Sequence, residues 1–350
     1  MTLPFRFRTP HAVLLAALAA AACDVPTKAP TVQSQLLIPV SGDSVSVNTL
    51  LPSSVGIAGN SLVAVFAPWH SVHPLTQLCA QCTVAVRAPK PAFTGSVTDT
   101  VVMPASVRAA TLASPMTVSI ALTHNFGFDP TQPSATARGS LVLTLSANGT
   151  VIATDTFHGE TPWIRGSSLV RTLTVPAGAV VAGPLVFKAV LTSPAGDTAV
   201  VDPNSALTVD VPTTTLAASS MAAVLTAQPL PPLHFFVNTS GVGPNPRSHI
   251  KGGVLTLAIA NPVSASGTVT LNFTGGATSI TPRTITLSGR AADSAQVTFS
   301  EQEMQSLIAG SAIQVTTSGT VSGSAADHVV NFQPGGWIRV TPQVTVTVSY

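Results

Sequence analysis

Apolar and polar residues alternate with a period of two along most of this chain. Ser44-Val45-Ser46-Val47, Met116-Thr117-Val118-Ser119-Ile120 and Leu141-Val142-Leu143-Thr144-Leu145 show it early. Val254-Leu255-Thr256-Leu257, Gly267-Thr268-Val269-Thr270-Leu271 and Val344-Thr345-Val346-Thr347-Val348 show it late. Successive side chains of a strand point to opposite faces, so the alternation predicts half-buried strands. Leu36-Leu37-Ile38 and Ser61-Leu62-Val63-Ala64-Val65-Phe66 add further strand-like runs. Pro, Gly, Asn and Asp interrupt the runs at short spacing, the pattern of an all-β sandwich or barrel. No long helical periods separate the strands, which argues against a parallel α/β fold. One helix is predicted. Ser300-Glu301-Gln302-Glu303 forms a capping box, Met304, Leu307 and Ile308 fall on one face, and Gly310 supplies a stop.

An internal repeat shapes the expected domain organisation. Arg138–Asn148 aligns without gaps on Lys251–Asn261, Thr154–Phe157 pairs in order with Thr270–Phe273, and Val180–Gly183 pairs with Leu307–Gly310. The fold class expected is therefore all-β, with tandem immunoglobulin-like β-sandwich domains over 106–212 and 213–350. Their boundary falls near the Pro/Thr-rich stretch 210–216, and a smaller N-terminal β module occupies 35–105.

The first residues carry an address. Arg6 and Arg8 precede the apolar run Ala12-Val13-Leu14-Leu15-Ala16-Ala17-Leu18, which fades into Ala19-Ala20-Ala21-Ala22 and then Cys23. A positive start, a short apolar run and small residues at a cleavage site are the parts of a secretory signal peptide. Ala20-Ala21-Ala22-Cys23 resembles the lipobox of bacterial lipoproteins, with Ala20 where that family usually has Leu. The resemblance implies that residues 1–22 are removed and that Cys23 is lipidated and becomes the new N-terminus. An ordinary signal-peptidase cut at the same place would instead leave Cys23 a free thiol. The cysteine count favours lipidation, since three cysteines, Cys23, Cys79 and Cys82, leave one unpaired in an oxidising compartment unless Cys23 is modified. Residues 23–34, with their prolines, read as the lipidated cysteine and a short tether. Each buried methylene contributes about 0.8 kcal/mol, so several acyl chains hold a protein to a membrane surface essentially permanently. No later run reaches the about 18 apolar residues of a membrane span. The expected location is the cell envelope, lipid-anchored to a membrane at the periplasmic face or the cell surface. Asp24 matches an inner-membrane retention rule that varies between lineages, so the membrane stays open.

Composition narrows the function classes. Only 8% of residues are charged, against about 25% in ordinary soluble proteins. Of the 15 Lys and Arg, two lie in the leader, and the remainder equals the 13 Asp and Glu. The basic residues are scattered singly, so neither the stripe needed for nucleic acid nor a polybasic membrane patch is present. Val, Ala, Leu and Ile are plentiful enough to build a core, and Ser and Thr supply the polar positions that charges usually fill.

Candidate chemistry is sparse. His70, His73, Cys79 and Cys82 offer two histidines and a C-x2-C, a donor set that suits tetrahedral zinc. A local disulfide between Cys79 and Cys82 is favoured in an oxidising compartment. A thioredoxin-like role needs the first cysteine at a helix N-terminus, yet Thr83-Val84-Ala85-Val86 reads as strand. Gly42-Asp43-Ser44-Val45 resembles the nucleophile block of GDSL-type hydrolases, an α/β family whose His lies in a D-x-x-H motif. This chain has no D-x-x-H, and a turn before a strand accounts for Asp43 and Ser44. Trp163-Ile164-Arg165 and Trp337-Ile338-Arg339 repeat a tripeptide, and loop-borne rings could stack on sugars or a small ligand. A Trp capping a sandwich core is the simpler use. The last strand, ending on Tyr350, resembles the closing strand of an outer-membrane barrel, but the aromatic girdles such barrels need are missing. The reading expected is a non-enzymatic interaction or structural module without cofactor. Its partners would be the membrane, through the anchor, and another envelope protein or a glycan. Ligand binding at Trp163 and Trp337, or a metal or redox site at 70–82, are the alternatives.

Overall fold

The computed structural model describes residues 31–350 other than 276–279 and 311. The leader, Cys23 and most of the tether lie outside the described residues. The fold is all-β, as the alternation predicts, and is built as two sandwiches joined by a third sheet. The chain weaves among these three bodies.

It begins in what we call the base sandwich with β1 (Gln33–Pro39) and β2 (Asp43–Ser46), then rises through a 3-10 turn at Val47–Leu50. β3 (Val55–Ala58) and β4 (Ser61–Phe66) belong to the junction sheet. β5 (Trp69–Pro74), α1 (Leu75–Leu78), β6 (Val86–Pro89) and β7 (Phe93–Val101) enter the tip sandwich. β8 (Val107–Leu112) returns to the junction, and β9 (Met116–His124), β10 (Ser140–Ala147), β11 (Thr150–Phe157) and β12 (Ser168–Val175) return to the tip. β13 (Val180–Ala182) touches the junction, then β14 (Leu185–Ser193), β15 (Thr198–Val201) and β16 (Ala206–Val211) complete the tip. β17 (Thr214–Val224) crosses the junction. Next come β18 (Gln228–Pro229), β19 (His234–Asn238), α2 (Pro244–Ser248), β20 (Ile250–Ala260), β21 (Ala265–Thr274), β22 (Arg283–Ser288), β23 (Ala292–Phe299), α3 (Glu301–Ala309) and β24 (Ala312–Gly323) in the base. β25 (Val329–Phe332) adds to β17 in the junction, and β26 (Trp337–Ser349) closes the base.

In the tip sandwich the sheet β12-β9-β16-β5 packs on β11-β10-β14-β7, with Ile120, Leu122, Leu143, Leu173, Phe187 and Leu191 buried between them. In the base, β1-β26-β20-β23 with β2 packs on β18-β24-β21-β22 with β19, around Leu255, Leu271, Phe299, Val315 and Val346. Polar pairs close the open sides of the tip sandwich. Arg171 on β12 makes a two-pronged bond to Asp155 on β11 at 2.6 and 2.8 Å. That bond, chiefly, holds the Asp155 carboxyl below its ordinary pKa. On the other side His73 on β5 meets Asp99 on β7 at 2.9 Å.

Three expectations change. Residues 35–105 do not form a module of their own, because their strands are shared among both sandwiches and the junction. β1 pairs antiparallel with the final strand, Gln33 opposite Ser349 and Pro39 opposite Gln343, a long-range pairing that local alternation does not encode. A cut at 212/213 would also separate β17 from β4 and β8, its hydrogen-bonded neighbours. The repeat survives only in its first block, where β10 and β20 are both interior strands. β11 pairs with β10, whereas β21 lies in the sheet opposite β20, and Val180–Gly183 is strand where Leu307–Gly310 is helix end. Short runs of common apolar and strand-forming residues align with one another whatever element they join, and the later blocks match without sharing a place in the fold. The helix forms as read: Ser300 and Glu303 complete a reciprocal cap, and Met304, Leu307 and Ile308 are buried.

Strand direction sets the polarity of the molecule. Val32 and Tyr350 exchange backbone hydrogen bonds at one extremity of the base. β26 is 13 residues long, so its other end, Trp337 beside Ser46, lies about 40 Å away, next to the junction. In the tip, Met116 and Val211 lie at the junction end of their strands, and Ala113 donates to Ala217 of β17. His124 and Ala206 mark the opposite end, joined through Asn125 N–H to the Ala206 carbonyl. The extremity where β1 begins and the free end of the tip sandwich are thus at opposite poles of the strand path.

Candidate functional site

The free end of the tip carries an open cleft of about 710 Å³, within the range of roughly 300–1,000 Å³ typical of ligand sites. One wall is the segment Phe126–Ala135, the other is Pro162–Arg165, and Asp197 and Val200 close a side. β6 and β15 pair as a short ribbon beside it, and Gly127 bridges to Val200.

Local sequence explains each wall. Asp129 opens its turn by accepting at Oδ1 from the Thr131 amide (2.7 Å), the Thr131 hydroxyl (2.9 Å) and the Gln132 amide (2.8 Å). This is the side-chain-to-backbone pattern that Asp favours in turns. Its Oδ2 crosses the cleft floor to accept from the Trp163 amide at 2.7 Å. On the second wall, Gly166 takes φ of 77° so that its N–H reaches the His124 carbonyl at 2.7 Å. That left-handed conformation suits glycine.

An aromatic row underlies the cleft. Trp163 meets His124 edge-on at 4.7 Å, His124 stacks on Phe126 at 5.0 Å, Phe126 on Phe128 at 5.6 Å, and Phe128 meets Phe93 edge-on at 6.3 Å. Lys90 ends the row. It is fully buried, its Nζ donates to the Pro194 carbonyl, and it lies 4.7 Å from the Phe93 ring and 5.4 Å from that of Phe128. Burial lowers its pKa to about 8. Above the row the exposed side chains include Ile164, Arg165, Asp197 and Val200. The arrangement offers an apolar floor between charges of both signs on a rigid frame.

The sequence-derived candidates fall elsewhere or serve the frame. Trp163 is buried: its Nε1–H donates to the Ser167 carbonyl at 3.3 Å, and the ring lies in the aromatic row. Trp337 is exposed on β26 beside the junction, so the two tryptophans do not share a site. Cys79 and Cys82 are buried and joined as a disulfide with Cα atoms 5.4 Å apart. Cys79 follows the C-terminal end of α1, the wrong end for lowering a thiol pKa. The strand after the pair begins only at Val86, not at Thr83. The zinc set is not assembled: both sulfurs are bonded to each other, His70 pairs with Asp210 at 2.6 Å on the surface, and His73 is engaged with Asp99. Among the described residues no group of three His, Cys, Asp or Glu converges as a metal site.

Ser71, His73 and Asp99 contain the residue types of a hydrolytic triad without its geometry. Ser71 Oγ lies 2.9 Å from His73 Nε2, and Asp99 Oδ2 lies 2.9 Å from the same nitrogen. Nδ1 faces Gln77 Oε1 at 3.1 Å. A working triad puts nucleophile and carboxylate on opposite ring nitrogens. This cluster ties the edge of one sheet to the edge of the other. Ser44 and Asp43 likewise serve structure: Asp43 accepts from the Ser44 amide at 2.7 Å and from the His234 amide at 2.8 Å. Sequence reasoning passed over His124, Asp129 and Lys90. Asp129-Pro130-Thr131 carries a readable turn signal and His124 continues the inward parity of Ile120 and Leu122 on β9, while nothing in the sequence around Lys90 marks it as buried.

The chain matches no protein-family profile and no curated protein. Among solved structures it is similar to a protein of Parabacteroides distasonis predicted to be secreted, at 8% identity and TM-score 0.31, covering 89% of this chain and 99% of that one. It is also similar to a tandem pair of CBM22 modules from Paenibacillus barcinonensis Xyn10C, at 9% identity and TM-score 0.16, covering 91% and 99%. An infectious bursal disease virus structure aligns at 10% identity and TM-score 0.20, covering 88% and 47%. Likeness of this size carries no function across.

Proposed function

We propose that this chain is a lipid-anchored, non-enzymatic binding module of the bacterial envelope that presents the tip cleft to a partner. The observation that carries the reading is polarity. The chain enters the far extremity of the base at Val32, nine residues after Cys23, while the cleft opens at the opposite pole. Acylation of Cys23 would set the base against a membrane and point the cleft away from it. Exposed Ile164 and Val200 on the lining of the cleft support binding there, since apolar side chains gathered at a concave site mark contact surfaces. The partner is another envelope protein or a glycan. Trp163 would act by shaping the floor, because its ring is enclosed.

The test places a photo-cross-linking side chain at Arg165, and separately at Thr345 in the base, in cells making the full chain. A discrete adduct from position 165 that is lost in the Asp129→Ala background, with none from 345, supports the reading. A glycan array probed with the purified chain covers the second partner class. No adduct at 165 together with a silent array contradicts the proposal. Intact mass from native membranes reports the anchor: loss of residues 1–22 plus acyl chains supports it, and an unmodified Cys23 removes it.

A further inference from the structure

His124 sits where both walls of the cleft meet, and its two ring nitrogens are committed in opposite senses. Nδ1 lies 3.2 Å from the Phe126 amide, which can only donate, so Nδ1 is an acceptor. Nε2 lies 2.9 Å from the Trp163 carbonyl, which can only accept, so Nε2 carries the proton. The backbone partners therefore require one neutral tautomer. The ring is buried and held between Phe126 and Trp163.

We propose that His124 is an acid-sensitive latch for the cleft: neutral, it ties the Phe126–Ala135 wall to the Trp163 wall, and protonated, it releases the first of these. The inference rests on the reading of the cleft as the binding face. A second proton must go onto Nδ1, which then points an N–H at the Phe126 N–H. Two donors face each other, the bond is lost, and the imidazolium is left buried among rings.

The groups around the latch do not rescue it. Asp129, from the first wall, favours the charged form, but its oxygens already accept from Thr131, Gln132 and Trp163. Arg165, from the second wall, opposes it. Across the sheet the strand partner is Leu207 of β16, which brings no charge. Burial, the largest influence, holds the His124 pKa below its ordinary 6.5, partly offset by the Trp163 carbonyl. An unfolded chain takes up this proton near 6.5 while the folded chain resists until lower pH. Stability tied to His124 is accordingly intact above about 6.5 and lost as the pH falls further. The wall that opens carries Phe126, Phe128 and Asp129, so acidification would alter the floor and one side of the cleft together.

The test is hydrogen exchange on the full chain near neutral pH and near pH 5, corrected for intrinsic rates, with His124→Asn as the comparison. Asn keeps an acceptor for the amide two residues on, as in an Asx turn, and does not titrate. Expected is a rise of about tenfold in exchange over 125–135 on acidification, the loss of one hydrogen bond's worth of protection. β20 and β26 should stay unchanged, and His124→Asn should show no such rise. Equal protection at both pH values in the parent overturns the latch, as does a loss spread evenly over both sandwiches or the same rise in His124→Asn. The parent's pH comparison stands alone if the variant fails to fold. No ligand is involved, so a failed cross-link at Arg165 with a working latch would remove the binding reading and leave the latch. The opposite pair of results would do the reverse.

Discussion

The tripeptide Trp-Ile-Arg occurs twice, and the two copies are treated in opposite ways. At 163–165 the tryptophan is 2% exposed and the isoleucine 65%, while at 337–339 the tryptophan is 51% exposed and the isoleucine 2%. The second copy opens β26, where parity decides: Ile338 faces the core, so its neighbours must face out. The first copy lies in a loop between β11 and β12, free of that parity. There the tryptophan is placed by partners, with Asp129 holding its amide, His124 holding its carbonyl and Ser167 taking its indole proton. The same residues are set by ladder geometry in one place and by long-range polar contacts in the other.

Substitutions that remove one cause at a time sharpen the contrast. Trp163→Ala should destabilise most, by about 3–5 kcal/mol in denaturant unfolding, whereas Trp337→Ala should fall within about 0.5 kcal/mol. Equal effects would break the comparison. Ile338→Ala should cost about 2–5 kcal/mol, as a truncated core aliphatic does, and Ile164→Ala almost nothing. Next comes Asp129→Ala, at about 2 kcal/mol, because the amides of Thr131, Gln132 and Trp163 lose their acceptor. Its exchange signature should be confined to the two cleft walls. The smallest change at neutral pH is expected from Lys90→Met, which exchanges a buried amine for an apolar chain of similar length. The parent, however, should gain stability as the pH rises from about 8 toward 10.5, since the folded amine gives up its proton before the unfolded one. Thermal unfolding across that window should show the gain in the parent and none in the Met variant.

Period-two alternation was enough to read the strands and the fold class, and the capping box placed α3 to the residue. Two nearby cysteines, read together with the secretory-type leader, foretold their bond. What stayed hidden shares one physical feature, dependence on contacts far apart in sequence. β1 reads as an ordinary strand, and nothing within it says that its partner is the last one. Dividing the chain into consecutive domains failed because the strands are shared between bodies, and a linear boundary cannot express that. Trp163 was legible as a core-capping ring. Its companions were less so: parity with Ile120 and Leu122 turns His124 inward, but its ring partners come from loops, and a lysine before Pro91 looks like a surface residue until the walls fold over it. The cleft is thus built from residues whose types were visible and whose meeting was not.

The proposed polarity sets the anchored end at one pole and the cleft at the other, and energy transfer to the bilayer tests it most directly. A donor fluorophore is placed at residue 164, or at residue 349, of the chain purified from its native membrane and reconstituted into vesicles doped with an acceptor lipid. Strong transfer from 349 and little or none from 164 is the predicted result. Equal transfer from both positions, or stronger transfer from 164, would contradict the account.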